Sequence, residues 1–383
     1  MEVTRIIHPV GQGGFYSETF KKGYDVFNVI YDCGGNSKTS IDAYLENYYP
    51  SDLYSNTIDA VFISHLHDDH INGLQYLLEN LNVKYLFLPQ LTKNEKLEIV
   101  SHTLINNRID FEFVSNLLND ESSEINGTKI IRVKHDNGES QAIMEINNDT
   151  DKSFDTISVN TIECGTKIHL LNKWLFIPYN PPVVDNNNGF EDCLKNELCV
   201  DNIDVDNLPS IVKEKGVKSV KDAYEKFFKS NHNAYSMALF SGLAKTETRP
   251  YYKYCDDCCI ELFRHCYHFR KMNGYRKHKY CTIPNCLYMG DFDTEKQIEN
   301  LKRFYRNGFW ETVASIQSPH HGSRNNFSPD LYEYAHKSFI SVGEKNKYHH
   351  PNVDTIIGIV EKGCQPIIVT ESLSTMRMYH YSF

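Results

Sequence analysis

An α/β layered fold is predicted for this chain of 383 residues, and two observations predict it. Short apolar runs suited to strands alternate with helix-like stretches near both ends, around a polar middle. Several of those runs stop directly at histidines and aspartates, which would gather chemistry along one edge of a sheet. The elements follow in chain order. Val3 to Pro9 reads as a strand, closed by the turn Gly11-Gln12-Gly13-Gly14. That turn lacks the G-x-x-x-x-G-K-[ST] pattern of a phosphate loop and reads as a hairpin connection. Phe15 to Phe20 and Val26 to Tyr31 form a strand pair ending in Asp32-Cys33-Gly34-Gly35, where Cys33 is assigned to packing. A helix comes next, with Ile41, Tyr44, Leu45 and Tyr48 on one face and Ser37 and Ser40 as candidate caps. Asp59 to Ser64 is a strand, Ile71 to Glu79 a helix, and Val83 to Leu88 a strand.

The middle, about 90 to 160, is polar and is expected to be irregular, with loops around 118–127 and 146–155. A strand at 173–179 follows, then a mainly helical insertion over 183–231, strongest at Val220 to Lys229. Ala234 to Phe240 is an apolar strand. The last hundred residues read as strand Cys286 to Gly290, helix 294–305, strand Thr312 to Gln317, helix 328–336, strand Phe339 to Val342, helix Val353 to Lys362, strand Pro366 to Thr370, and a final strand near 375–380. One domain, 1–383, with insertions at about 90–155, 183–231 and 244–285 is the expected organisation.

Composition narrows the class. Charged residues make up 23% and hydrophobic ones 40%, ordinary for a soluble globular protein. No apolar run approaches the roughly 20 residues that span a bilayer, and the N-terminus lacks a signal-peptide layout. Eleven cysteines, an odd count in a long chain, suit a reducing compartment, so a cytoplasmic protein with no membrane contact is expected. A net charge of −10 argues against a surface that holds nucleic acid non-specifically all over.

The chemistry is concentrated in His65-Leu66-His67-Asp68-Asp69-His70, directly after the strand-like Val61-Phe62-Ile63-Ser64. Three imidazoles and two carboxylates crowded at the end of a strand are costly without a cation, because close carboxylates repel and half-buried polar groups need partners. On an extended segment His65 and His67 share a side and can bind one ion; Asp69 and His70 turn toward a second. Asp291 ends another apolar strand, where a bridging carboxylate would sit. His320 and His321 end the next, and Gly322 allows close backbone approach.

These motifs together resemble the metallo-β-lactamase superfamily, and within it the soluble metallohydrolase domain of ComEC-type competence proteins. The resemblance rests on YDCGG at 31–35, HxHxDH at 65–70, the Asn233 to Leu239 strand, GD at 290–291, HHGS at 320–323, and the Ser341 to Pro351 segment. It implies an αββα sandwich carrying two divalent ions, Zn or Mn. By the resemblance, His65 and His67 hold the first ion, Asp69 and His70 the second, Asp291 bridges, a histidine of the 320–321 pair completes the set, and Asp32 orients the site from behind. Many relatives supply one more histidine between the HxHxDH run and the bridging aspartate. His169 and His232 are the candidates here, neither in a matching motif, so the first ion is expected to be less fully ligated. The implied chemistry is hydrolysis, in which paired cations lower the pKa of a shared water from about 16 toward 7. Asp69 belongs to that catalytic set, His321 or His350 would protonate the leaving oxygen, and Arg324 would stabilise developing charge.

The segment 244–285 departs from the family pattern. Cys255, Cys258, Cys281 and Cys286 have spacing that could hold a structural zinc, against unligated thiols as the plainer reading. From Lys245 to Tyr280 nine basic residues stand against four acidic ones, interleaved with tyrosines, which suits a phosphate-bearing chain with stackable bases or a solvated flap. His8, His102, His135, His336 and His380 are read as structural or exposed. The leading functional expectation is a phosphodiesterase or nuclease acting on nucleic acid or nucleotides. The alternatives are a hydrolase of a small ester, lactam or thioester, and a sensor or effector subunit whose insertions dock a protein partner in a multi-protein system such as phage defence.

Overall fold

Strands that are apolar on both faces need cover on both faces, and the chain supplies it in four layers: helices, sheet, sheet, helices. The computed structural model describes residues 1–49, 56–138, 143–146, 159–171, 173–183, 188–228, 236–244, 251–255, 283–306 and 308–383. The first third contains β1 (Glu2–Ile7), β2 (Phe15–Lys22), β3 (Asp25–Cys33), α1 (Lys38–Asn47), β4 (Thr57–Phe62), α2 (Asp68–Ile71), α3 (Leu74–Asn80), β5 (Asn82–Pro89), α4 (Lys93–Asn106) and α5 (Phe111–Leu118). The middle contains β6 (Glu124–Ile125), β7 (Thr128–Val133), β8 (Ile143–Ile146), β9 (Thr161–Ile162), β10 (Lys167–Leu170), β11 (Trp174–Tyr179), α6 (Asn188–Leu198), α7 (Leu208–Lys215) and α8 (Val217–Phe227). The rest is β12 (Ala238–Leu243), β13 (Tyr251–Cys255), β14 (Cys286–Tyr288), α9 (Thr294–Tyr305), β15 (Ser315–Gln317), β16 (Lys337–Ser341), α10 (Val353–Glu361), β17 (Gln365–Val369) and β18 (Arg377–Ser382).

The first sheet runs β13-β18-β1-β2-β3-β4-β5-β7-β6, and the second β17-β16-β15-β14-β12-β11-β10-β8. Within the first, β3, β4, β5 and β7 are parallel; within the second, β14 to β17 are parallel. Alternation decides which layer each side chain joins. Val61 and Ile63 face α1 and α3, whereas Ala60 and Phe62 face the second sheet. Tyr288 points back at the first sheet and Leu287 and Met289 at the helices behind the second. Helix α1 begins as expected, with a reciprocal hydrogen-bonded cap between Ser37 and Ser40.

Several expectations need correction. The stretch 93–118 is not irregular but forms α4 and α5, and Thr128–Val133 is a strand inside the first sheet. A cap between Thr92 and Glu95, with Leu97 and Val100 buried beneath, accounts for α4. The expected helix over 328–336 is a single tight turn, Pro329–Tyr332, because Lys337 already pairs into β16. The strand expected from Thr312 is a turn at Trp310–Thr312 followed by β15. The strand expected over 234–240 is β12, a few residues later; 234 and 235 lie outside the described residues. The stretch 183–231 does carry helices, α6 to α8, and their Phe190, Leu194, Val220 and Ala223 join the cluster of Leu97 and Val100.

A buried ion pair, Arg5 with Glu18, lies between the sheets. Arg5 brings Nε and Nη2 to 2.7 and 2.6 Å from Glu18 Oε1, which also accepts from Tyr288 Oη at 3.0 Å. Glu18 Oε2 accepts from Ser241 Oγ at 2.5 Å, and Ser241 in turn accepts from Trp174 Nε1 at 2.8 Å.

His8 is structural, as expected, and it sets an acid limit. It stacks on Phe15 at 4.0 Å between centroids and contacts Tyr44 Oη and Ser17 Oγ at 2.9 and 2.7 Å. Complete burial pushes its pKa down from 6.5 to about 3. Below pH 6.5 the unfolded chain takes up a proton that the folded protein refuses until about pH 3. Stability therefore falls with acid across that window, by about 1.4 kcal/mol per pH unit from this group. A His8→Gln variant should show a shallower loss than the wild type between about pH 6.5 and pH 4 in urea unfolding. Parallel curves would contradict the assignment.

Candidate metal centre

The donors sit just past the carboxyl ends of parallel strands, where side chains from different strands converge. Asp32 is near the end of β3, Ser64 to His70 follow β4, Asp291 follows β14, His320 and His321 follow β15, and Ser341 ends β16. The backbone is bent to bring them together. Asp32, His320 and His321 hold φ of 55°, 48° and 53°, a left-handed conformation costing roughly 1–3 kcal/mol for a non-glycine residue unless its surroundings enforce it. At Gly34 a Cβ would overlap the carbonyl of Asp69, so only glycine permits this approach; Gly14 N donates to the same carbonyl at 3.1 Å. The Gly11–Gly14 connection is thus a hairpin turn that also supports the loop bearing Asp69.

Among the described residues two groups of potential ligand atoms result. Those of His65, His70 and Asp291 lie within 4.8 Å of one another, as do those of Asp69, His70 and His321. Asp291 reaches both sides. Its Oδ1 is 3.1 Å from His70 Nε2 and 3.9 Å from His321 Nε2, whereas its Oδ2 is 3.8 Å from both His65 Nε2 and His320 Nε2. His321 Nε2 is also 3.1 Å from Asp69 Oδ2.

The opposite ring edges are held from behind. His70 Nδ1 is 2.8 Å from Asp32 Oδ2, and Asp32 accepts from Ser64 N and Oγ at 2.7 and 2.8 Å. His321 Nδ1 donates to the Ser341 carbonyl at 2.9 Å, and His320 Nδ1 lies 3.0 Å from Asn326 Oδ1. His65 Nδ1 lies 3.0 Å from Ser64 Oγ, while its buried Nε2 has no hydrogen-bond partner among the described residues. An unpaired buried nitrogen costs roughly 1–3 kcal/mol, and a cation would use its lone pair. The donor set fits divalent metal on that ground and on its chemistry: imidazole nitrogens facing carboxylates, with their far edges fixed.

Without metal the cluster balances its own charge. Burial disfavours the His70 proton, but Asp291, Asp32 and Asp69 outweigh it and hold the ring well above its ordinary pKa. Burial would raise Asp291, yet His320 and His70 hold it well below the carboxylate range. Asp69 is lowered in the same way by His70 and His321. His65 is pushed well down by burial and by the neighbouring His70 and His67.

Other expected residues fall differently. His67 is not within either donor group; its Nε2 lies 3.1 Å from Glu98 Oε1, and its ring stacks on His102 at 4.2 Å. His169 lies in β10, three strands from β14 or about 14 Å across the sheet, and is not brought to the cluster; His232 lies outside the described residues. Ser236 occupies the intervening strand region instead, donating to Met289 O and accepting from Asp291 N at 2.9 Å. Arg324 is 70% exposed and paired with Asp354 at 3.0 Å. His350 is half-buried with its ring 6.0 Å from that of His320, and burial pushes its pKa down to about 4. Cys33 is buried and its thiol is pushed up by burial, as a packing role requires. Of the cysteines considered for zinc, Cys286 is buried in β14, where burial pushes its thiol up to about 11; Cys258 and Cys281 lie outside the described residues, as does the side chain of Cys255. The residues that sequence reasoning missed are Glu98, His102 and Tyr224, all in helices behind His67.

Comparison with known proteins adds the following. A family model described as anti-Pycsar protein Apyc1 matches residues 20–118, a stretch that includes the HxHxDH run and Glu98. No curated protein matches the chain. Among solved structures, the metallo-beta-lactamase fold protein YhfI from Bacillus subtilis is similar with TM-score 0.41 and 9% identity, over 99% of this chain and 100% of that one. Unliganded yeast PDE1 gives TM-score 0.39 and 11% identity, over 99% of this chain and 100% of that one. A long form RNase Z from yeast gives TM-score 0.30 and 11% identity, over 96% of this chain and 37% of that one. The αββα layering itself is the fold expected from the sequence. No helix among the described residues is long and apolar enough to cross a membrane.

Proposed function

We propose that the protein is a metal-dependent hydrolase of phosphodiesters, acting on nucleotides or nucleic acid. The observation that carries this reading is the placement of Asp291, with one oxygen toward His70 and His321 and the other toward His65 and His320. In this reading His65, His67, His320 and Asp291 would hold one ion, and Asp69, His70, His321 and Asp291 would hold the other. Divalent metal held by these residues would supply charge neutralisation and an acidified water. Asp32 and Ser341 keep the second set of imidazoles aimed inward. With both His321 nitrogens already engaged, His350 is left as the group that moves a proton at the leaving oxygen. Arg324 has no part.

The substrate class has its own support. Tyr348 is 61% exposed and stacks on His350 at 6.0 Å and 19°, with Lys347 Nζ 5.4 Å from the Tyr348 ring centre. An exposed aromatic face with a cation beside the donors suits a base attached to a phosphate. The basic, tyrosine-rich stretch 245–280 lies almost wholly outside the described residues. The sequence resemblance to the ComEC-type domain also favours a phosphodiester. The name of the matched family, an anti-Pycsar protein, favours a setting in which the activity opposes another system.

Purified protein with added Zn²⁺ or Mn²⁺ should cleave at least one of single-stranded DNA, duplex DNA, RNA and bis-p-nitrophenyl phosphate, and the Asp69→Ala/His70→Ala double variant should cleave none. Cleavage of the small diester alone would restrict the substrate to small esters. Full metal occupancy without any cleavage would overturn the hydrolase reading.

A further inference from the structure

A line of contacts leads from the centre into the inserted helices. His67 Nε2 lies 3.1 and 3.4 Å from the two oxygens of Glu98 on α4. Tyr224 Oη, on α8 of the insertion, donates to Glu98 Oε1 at 2.5 Å. Glu98 is 4% exposed, so its charge depends on these two donors. A ring that donates Nε2–H to a carboxylate keeps its lone pair on Nδ1, and the His67 ring lies 4.7 Å from that of His65. The His102 ring, stacked at 20° on that of His67, restricts its rotation further. Asp32 and Ser341 do the same service for His70 and His321. The two halves of the centre are therefore supported by different parts of the chain: strand ends on one side, the insertion on the other.

We infer that Glu98 is a positioning residue that fixes His67 as an Nδ1 donor to the first ion, and that the inserted helix tunes that ion's affinity through Tyr224. The inference rests on the metal-centre reading above. It gives the insertion a task at the centre, which a partner-docking segment would not need.

The test titrates metal-free, full-length protein with Co²⁺, following visible absorption and the metal retained at equilibrium dialysis. Wild type should take up two equivalents. In Glu98→Gln one equivalent should weaken by about 10- to 100-fold with an altered spectrum, while the other keeps its affinity. Tyr224→Phe should weaken the same equivalent by a smaller factor, and it carries the test should Glu98→Gln fail to fold. Two equivalents bound by the variants as tightly as by wild type, or both weakened alike, would overturn the role of Glu98 alone. A wild-type protein that binds no Co²⁺ would overturn the metal-centre reading together with it.

Discussion

Asp291→Ala is expected to lose both ions and to cut turnover by at least about 10³-fold, or ~4 kcal/mol of barrier. The size follows from geometry. Every imidazole of the proposed centre except His67 has its Nε2 within 3.1 to 3.9 Å of one Asp291 oxygen or the other. Removing that carboxylate leaves each ion short of a shared anionic donor, and it leaves the His70 charge with fewer partners. Asp69→Ala makes the informative contrast. Asp69 contacts His70 and His321, so the loss should fall mainly on the second ion. Metal content by mass spectrometry after dialysis, read beside hydrolysis of bis-p-nitrophenyl phosphate, separates the two variants. Two ions per chain in Asp291→Ala, or turnover within tenfold of wild type, would refute the bridging role.

The second large effect concerns the ion pair between the sheets. Glu18→Ala should destabilise the protein by about 3–5 kcal/mol, because it leaves the Arg5 guanidinium buried and uncompensated. Arg5 is completely buried, and the charge of Glu18 is what keeps it protonated against that burial. The nearby rings of Tyr288 and Tyr381, 5.9 and 5.7 Å from the Arg5 guanidinium carbon, cannot replace an anion. The double variant Arg5→Met/Glu18→Leu should recover most of the loss, since an apolar pair of similar volume removes both desolvation costs. For a chain of this length a loss of that size corresponds to a melting temperature lower by roughly 4–6 °C. An unchanged midpoint in Glu18→Ala would show that water or a rearranged partner reaches Arg5.

The centre was legible where its chemistry is written contiguously. His65 to His70 announce themselves, and Asp291 and His320–His321 follow apolar runs that could only be strands. Glu98 was not legible, because nothing in a polar helix marks one glutamate among several as buried. A signal did exist one level down. Thr92 and Glu95 have the spacing of a helix cap, with Leu97, Val100 and Leu104 repeating at helical intervals behind them. Reading that cap would have placed α4 beside the HxHxDH turn. The turn at 328–336 misled in the opposite direction. Ser328-Pro329 opens a helix well, yet the pull of Lys337 into a parallel ladder ends it after four residues. Tertiary pairing overrode local preference there, and the sequence pattern carries no mark of it.

The left-handed backbone at His320 and His321, together with donors at 65–70 and 291, has a consequence for biosynthesis. The residues that would grip a cation are separated by more than two hundred positions, and closing so long a stretch is entropically unfavourable until both sheets have stacked. A nascent chain would thus hold no firmly bound ion until its C-terminal strands arrive, and loading becomes a late checkpoint that reports a finished molecule.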